Sequence, residues 1–88
     1  MNTAFILLAR YDGLPVIPLA LVVRDFFPHL SEQKLAGKID RGEVRLPLIR
    51  IEASQKAARG IHINDLAAWI DARREAAAKE LRQLTGED

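Results

Sequence analysis

At 88 residues, 49% of them hydrophobic, the chain has room for one small domain whose core needs nearly every large apolar side chain, and it is too apolar to remain disordered. The absence of cysteine excludes disulfides, thiolate metal sites and thiol nucleophiles, and fits a reducing, cytoplasmic setting. A net charge of +1 says little in sum, yet the charge is unevenly spread. Between Leu30 and Ile63 seven basic residues (Lys34, Lys38, Arg41, Arg45, Arg50, Lys56, Arg59) stand against four acidic ones (Glu32, Asp40, Glu43, Glu52), and no acidic residue lies between Ala53 and Asn64. That local excess suits an anionic partner, although ordinary surface charge has the same look.

Thr3 to Tyr11 admits two readings: a short helix capped by Thr3 and stopped at Gly13, or a strand Ala4–Tyr11 turning through Asp12-Gly13. Periodicity cannot arbitrate over so few residues, but Asp12-Gly13 suits a helix stop and favours the helix. The apolar run Ala4–Ala9 is too short to span a membrane and lacks the basic lead of a signal peptide, so no membrane partner is expected.

Val16-Ile17 reads as a brief extended piece. Pro18, whose missing N–H costs nothing at a first helical position, opens a helix to about Phe27, with Leu19, Val22, Val23, Phe26 and Phe27 as its inward stripe. Pro28 stops it. Ser31 caps a second helix that Gly42 ends, with Leu35, Ala36 and Ile39 turned inward and Gln33, Lys34, Lys38 and Arg41 turned out. Leu46–Ile51 predicts a strand with Leu46, Leu48 and Ile49 inward, at a sheet edge because of Pro47; Ile61–Ile63 is its expected antiparallel mate. An Asn64 cap opens the last helix, which carries Leu66, Ala67, Trp69, Ile70, Ala77, Leu81 and Leu84 until Gly86. Trp69 shares a face with Leu66 and Ile70 and is expected in the core.

Catalysis has little to stand on. The two histidines, His29 and His62, lie far apart, and there is no Gly-rich phosphate cradle, serine elbow or suggestive pair of carboxylates. No catalytic residue, metal ligand or cofactor is therefore expected, and the chain does not read as an enzyme. What the order of elements does supply is a helix–turn–basic helix, a basic hairpin and a capped helix. This predicts a mainly α fold with a small β-hairpin wing (α+β), a winged helix-turn-helix in one domain over residues 1–88. The helix Ser31–Gly42 would enter the major groove of double-stranded DNA, where exposed donors read base edges, and the loop Ala53–Gly60, rich in small residues, would approach the backbone. The candidate DNA-binding residues are Ser31, Gln33, Lys34, Lys38, Arg41, Arg50, Ser54, Gln55, Lys56, Arg59 and His62.

Pro18 to Arg74, closing on Asp65-Leu-Ala-Ala-Trp-Ile70, resembles the winged-helix modules of excisionases and AlpA-type phage regulators. A closer similarity is to the pyocin activator protein family, the PrtN-type regulators. It rests on Asn2-Thr-Ala-Phe5, Tyr11-Asp-Gly13, Val16-Ile-Pro-Leu19, Leu46-Pro-Leu-Ile-Arg50, Glu52-Ala-Ser-Gln-Lys56 and Ile61-His-Ile-Asn-Asp-Leu-Ala67, and runs from Asn2 to about Leu84. The resemblance implies a transcription activator that binds a repeated promoter element of phage-tail-like bacteriocin or prophage genes, with RNA polymerase as a further partner. Two other classes stay open: an excisionase-like architectural protein that bends DNA, and a protein–protein adaptor that uses the last helix and no DNA.

The last helix outruns the need of so small a domain. Ile63, Ala67, Ile70, Ala77, Leu81 and Leu84 fall near a 3.5-residue spacing interrupted at Arg74, and Asn64–Leu84 would measure roughly 31 Å. Self-association through residues 64–84, helped by Phe5 and Leu8, is expected to give a homo-oligomer. The competing readings are a tail folded onto Ala4–Leu8 and a tail frayed in solvent.

Overall fold

A computed structural model describes residues 2–54 and 57–86. Four helices and three short strands follow one another as α1 (Thr3–Arg10), β1 (Val16–Pro18), α2 (Leu19–Phe26), α3 (Glu32–Asp40), β2 (Ile49–Arg50), β3 (Arg59–His62) and α4 (Ile63–Thr85). The strands form one antiparallel sheet in the order β1-β3-β2. This is the mainly helical, winged helix-turn-helix fold expected from the sequence.

Residues 3–10 are helical, but the cap is Asn2, whose side-chain oxygen accepts the Ala4 N–H at 2.8 Å, so Thr3 is the first helical residue and not the cap. The helix stops at Arg10, and Asp12 and Gly13 both take positive φ (54° and 78°), the left-handed turn that Gly allows without a Cβ clash. Pro18 ends β1 and occupies the cap position of α2, one residue earlier than a first helical turn. The stretch Val16–Pro18 is more than an isolated extended piece: it pairs with β3, Val16 opposite His62 and Ile17 opposite Ile61.

The expected strand Leu46–Ile51 shrinks to Ile49–Arg50. Pro47 has no N–H to give, and the Leu46 N–H is spent locally on the Val44 carbonyl (3.0 Å), so pairing starts only past them. The mate is Arg59–His62 and not Ile61–Ile63, because Ile63 is already the first residue of α4. Asn64 is not the cap of that helix. His62, still extended, caps it instead, its Nδ1 accepting the Asn64 N–H at 3.0 Å.

The core lies where α2, β3 and the start of α4 meet, with Ile17, Leu19, Val22, Leu35, Ile61 and Leu66 wholly buried. Gly60 sits buried in the central strand, opposite Pro18 on one side and Ile49 on the other. A Cβ there would lie 2.6 Å from the Ile17 carbonyl oxygen and 2.7 Å from a Val16 methyl, so only glycine lets β1 come this close. Sequence reasoning had placed Gly60 in the wing loop; it is a packing residue of the sheet.

α1 is held at both ends. The Thr3 hydroxyl donates to the Asp71 carboxylate of α4 at 2.7 Å. At the other end the Tyr11 hydroxyl donates to Asp25 of α2 at 2.6 Å, and Arg10 and Arg24 donate to the same carboxylate at 3.2 and 2.8 Å. Burial, and then the hydrogen bond to Asp25, push the Tyr11 hydroxyl up to about 12. The hydrogen bonds from Arg24 and Tyr11 hold Asp25 well below the usual carboxylate range.

Gly60→Ala is expected to destabilise the domain by about 1–3 kcal/mol, because backbone and not a movable side-chain tip must give way; urea unfolding with an unchanged m-value checks this. The chain has a single tyrosine, so its phenolate absorbance reports one group. That titration is expected near 12, and Asp25→Asn is expected to lower it without restoring the ordinary value near 10, since burial remains. Because the folded value is raised, the Tyr11 contribution to stability is complete below the unfolded pKa of about 10 and is lost as pH rises through 12. Asp25 works the other way: its contribution is intact above about 3.9 and is lost as pH falls through its lowered folded value.

Candidate nucleic-acid interface

The turn between α2 and α3 is closed by backbone bonds, Phe27 N–H to Val23 and Leu30 N–H to Phe27. Pro28 cannot continue the helix. The Phe27 ring packs on Trp69 of α4 (centroids 5.1 Å apart, tilted 43°) and lies 6.2 Å from His29, so this turn is bolted to α4. Trp69 is half-buried there, in the packing role its helical spacing predicts.

Ser31 caps α3 as predicted, its hydroxyl oxygen accepting the Lys34 N–H at 3.1 Å. At the far end Gly42 takes φ +76° and donates to the Ile39 carbonyl, while Glu43 reaches back to Lys38, a paired closure that satisfies the last carbonyls. Both ends of the helix are thereby set within a residue or two. Leu35 and Ala36 are buried beneath it, and Gln33, Lys34, Gly37, Lys38 and Arg41 line one open depression on its outer face.

Glu43 changes the electrostatics of that face in a way the sequence reading did not foresee. It receives Arg41 through a short charge-assisted hydrogen bond and Lys38 at 3.5 Å, and the Arg41 contact holds its carboxyl below the usual range. Lys38 and Arg41 are therefore neutralised locally in the free protein, whereas Lys34 has no ion pair among the described residues. These pairs are exposed and screened by salt.

On the wing, Arg50 and Arg59 are direct cross-strand partners. Like charges opposite one another on a ladder repel, and neither arginine has an ion-pair partner among the described residues. The ladder continues one bond further, from the Ile51 N–H to the Ala58 carbonyl, and Ala57 N–H closes on the Ser54 carbonyl. The loop between the two strands is thus residues 51–58, as long as the expected Ala53–Gly60 but starting two residues earlier, since Arg59 and Gly60 belong to β3. Ser54 is exposed on it. Gln55 and Lys56, two further candidates, lie outside the described residues. His62 stands at the other end of β3, half-buried, with Nδ1 engaged in capping α4, which leaves Nε2 as its remaining polar atom.

Gly37 is the residue that sequence reasoning passed over. A glycine inside a helix is itself a signal, because alanine would be more stable there unless space matters. Among the described residues no group of three or more His, Cys, Asp or Glu could hold a metal ion, and no helix is long and apolar enough to cross a membrane.

A capped helix with donors on its outer face, set by a tight turn and followed by a basic hairpin, defines a DNA-binding transcriptional regulator of winged helix-turn-helix type. The match to a family model described as pyocin activator protein PrtN covers residues 3–77, and the chain belongs to that family, one of regulators and not of enzymes. No curated protein and no solved structure matches the chain.

Gly37→Ala is expected to raise stability by about 0.5–1 kcal/mol in urea unfolding, since the new methyl meets only the movable end of Arg41 at 3.1 Å.

Proposed function

We propose that this chain is a sequence-specific activator that reads a promoter element of phage-tail-like bacteriocin or prophage genes. α3 enters the major groove with Gln33 and Lys34 toward base edges. The wing lies on the neighbouring phosphates, held by Arg50 and Arg59, and Ser54, Gln55 and Lys56 of the loop are further candidate contacts. Lys38 and Arg41 join once phosphate competes with Glu43 for them, and Ser31 and His62 flank the contact. The observation that carries the reading is the facing Arg50–Arg59 pair: two cations held together, with no carboxylate paired to either among the described residues, gain most from an anion placed between them. The family match supports the regulatory role, and its description supports the pyocin target. Activation implies a contact with RNA polymerase and action at the nucleoid in the cytoplasm.

The two elements are expected to fail differently. Arg50→Ala or Arg59→Ala weakens binding to all duplexes and reduces the salt slope by about one unit each. Gln33→Ala or Lys34→Ala costs about 1–3 kcal/mol on the cognate site and relaxes discrimination there. Fluorescence anisotropy on footprinted and scrambled duplexes over a salt series makes the comparison. Equal losses on both duplexes for all four variants would refute the division, and tight binding without promoter–reporter activation would point to an architectural protein.

A further inference from the structure

The main apolar surface left open lies on α1 and at the free end of α4. Phe5 and Ile6 are 70% and 53% exposed on the outward side of α1, and Leu81 and Leu84 are 60% and 80% exposed near the end of α4. Neither segment is ragged. α1 is pinned by Asn2 and by the Thr3–Asp71 bond, and α4 ends in an ordered cap, with Gly86 in the left-handed conformation and the Thr85 hydroxyl on the Leu81 carbonyl. α4 thus runs as one helix to Thr85: it packs on α1, Arg74, Glu75 and Ala78 line a depression with Asn2 and Thr3, and Leu81 and Leu84 beyond them stay exposed.

We infer that a second copy of this chain covers both patches at once, related by a two-fold axis, with Leu81 and Leu84 of each copy seated on Phe5 and Ile6 of the other. The Thr3–Asp71 bond sets the start of α1 level with Asp71, so the two patches are separated along α4 by about 15–20 Å at 1.5 Å per residue. A perpendicular two-fold midway between them exchanges the patches, and that midpoint falls in Ala76-Ala77-Ala78, where side chains no larger than methyl let two helices approach closely. The same axis brings Arg73 of each copy level with the partner's Glu80. These residues are seven apart, hence on one edge of the helix, and neither has an ion pair among the described residues. Glu75 and Arg82 already satisfy each other within the helix at 3.3 Å. Area argues for the exchanged arrangement. Two tails meeting alone would cover only the α4 patch, whereas exchange covers both patches in both copies, on the order of 1,000 Å² in total, the lower limit for a specific interface.

The inference stands on α1 and α4 and does not depend on the DNA reading. Sedimentation equilibrium of the full chain is expected to show a dimer at tens of micromolar, and Leu84→Glu and Phe5→Glu each to give monomers that keep the parent far-ultraviolet circular dichroism. The chain has no cysteine, so introduced thiols report alone. Phe5→Cys and Leu84→Cys chains, oxidised after mixing, are expected to form the mixed disulfide in preference to either homodimer. A monomeric parent overturns the proposal. So does a Leu84→Cys homodisulfide that forms while the mixed species does not, which would mean tails meeting end to end.

Discussion

The close approach of β1 to β3 at Gly60 is the constraint on which the rest of the architecture depends. The central strand has the N-terminal segment on one side and the wing on the other, and it runs straight into α4. With β1 seated against it, the Pro15 carbonyl also receives the Ile63 N–H at 2.9 Å, so the start of α4 is tied to the same seam. α2 leaves β1 directly and packs on both α3 and β3, which fixes the turn and the outer helix relative to the sheet. A side chain at this one position would therefore disturb how α3 and the wing are placed relative to one another.

The two halves of the candidate interface carry their charge in different ways. On α3, Glu43 already occupies Lys38 and Arg41, so an incoming phosphate must displace a carboxylate, and the net electrostatic gain there is modest. On the wing, Arg50 and Arg59 are forced together by strand register with no counter-charge among the described residues, so an anion relieves a repulsion that folding created. On the proposed reading, affinity would then come mainly from the wing, with α3 left free to discriminate.

Much of this was legible in local chemistry. The caps and stops at Ser31, Gly42, Pro28 and Gly86, together with the 3.6-residue stripes of α2 and α3, act over a few residues, and sequence reading recovered them. What it missed was set at a distance. Val16–Pro18 is too short to announce itself as a strand, and its partner is far along the chain. The carboxylate of Asp25 gathers Arg10 and Tyr11 only once α1 lies beside α2. His62 took the capping role from Asn64 because strand pairing keeps residue 62 extended, whatever the preference of the next side chain. The outward faces of α3 were readable from periodicity alone, but their neutralisation by Glu43 depends on the closure after Gly42 that turns the chain back on the helix.

β3 ends at His62 and α4 begins at Ile63, so no loop separates the strand that carries the wing from the longest helix of the molecule. A junction without slack transmits rotation. α4 is a rod about 34 Å long, and a tilt of about 10° at its base would carry its far end roughly 6 Å. If the wing holds DNA as proposed, a pull on it would be felt, magnified, at the opposite pole of the protein, within reach of a neighbouring molecule.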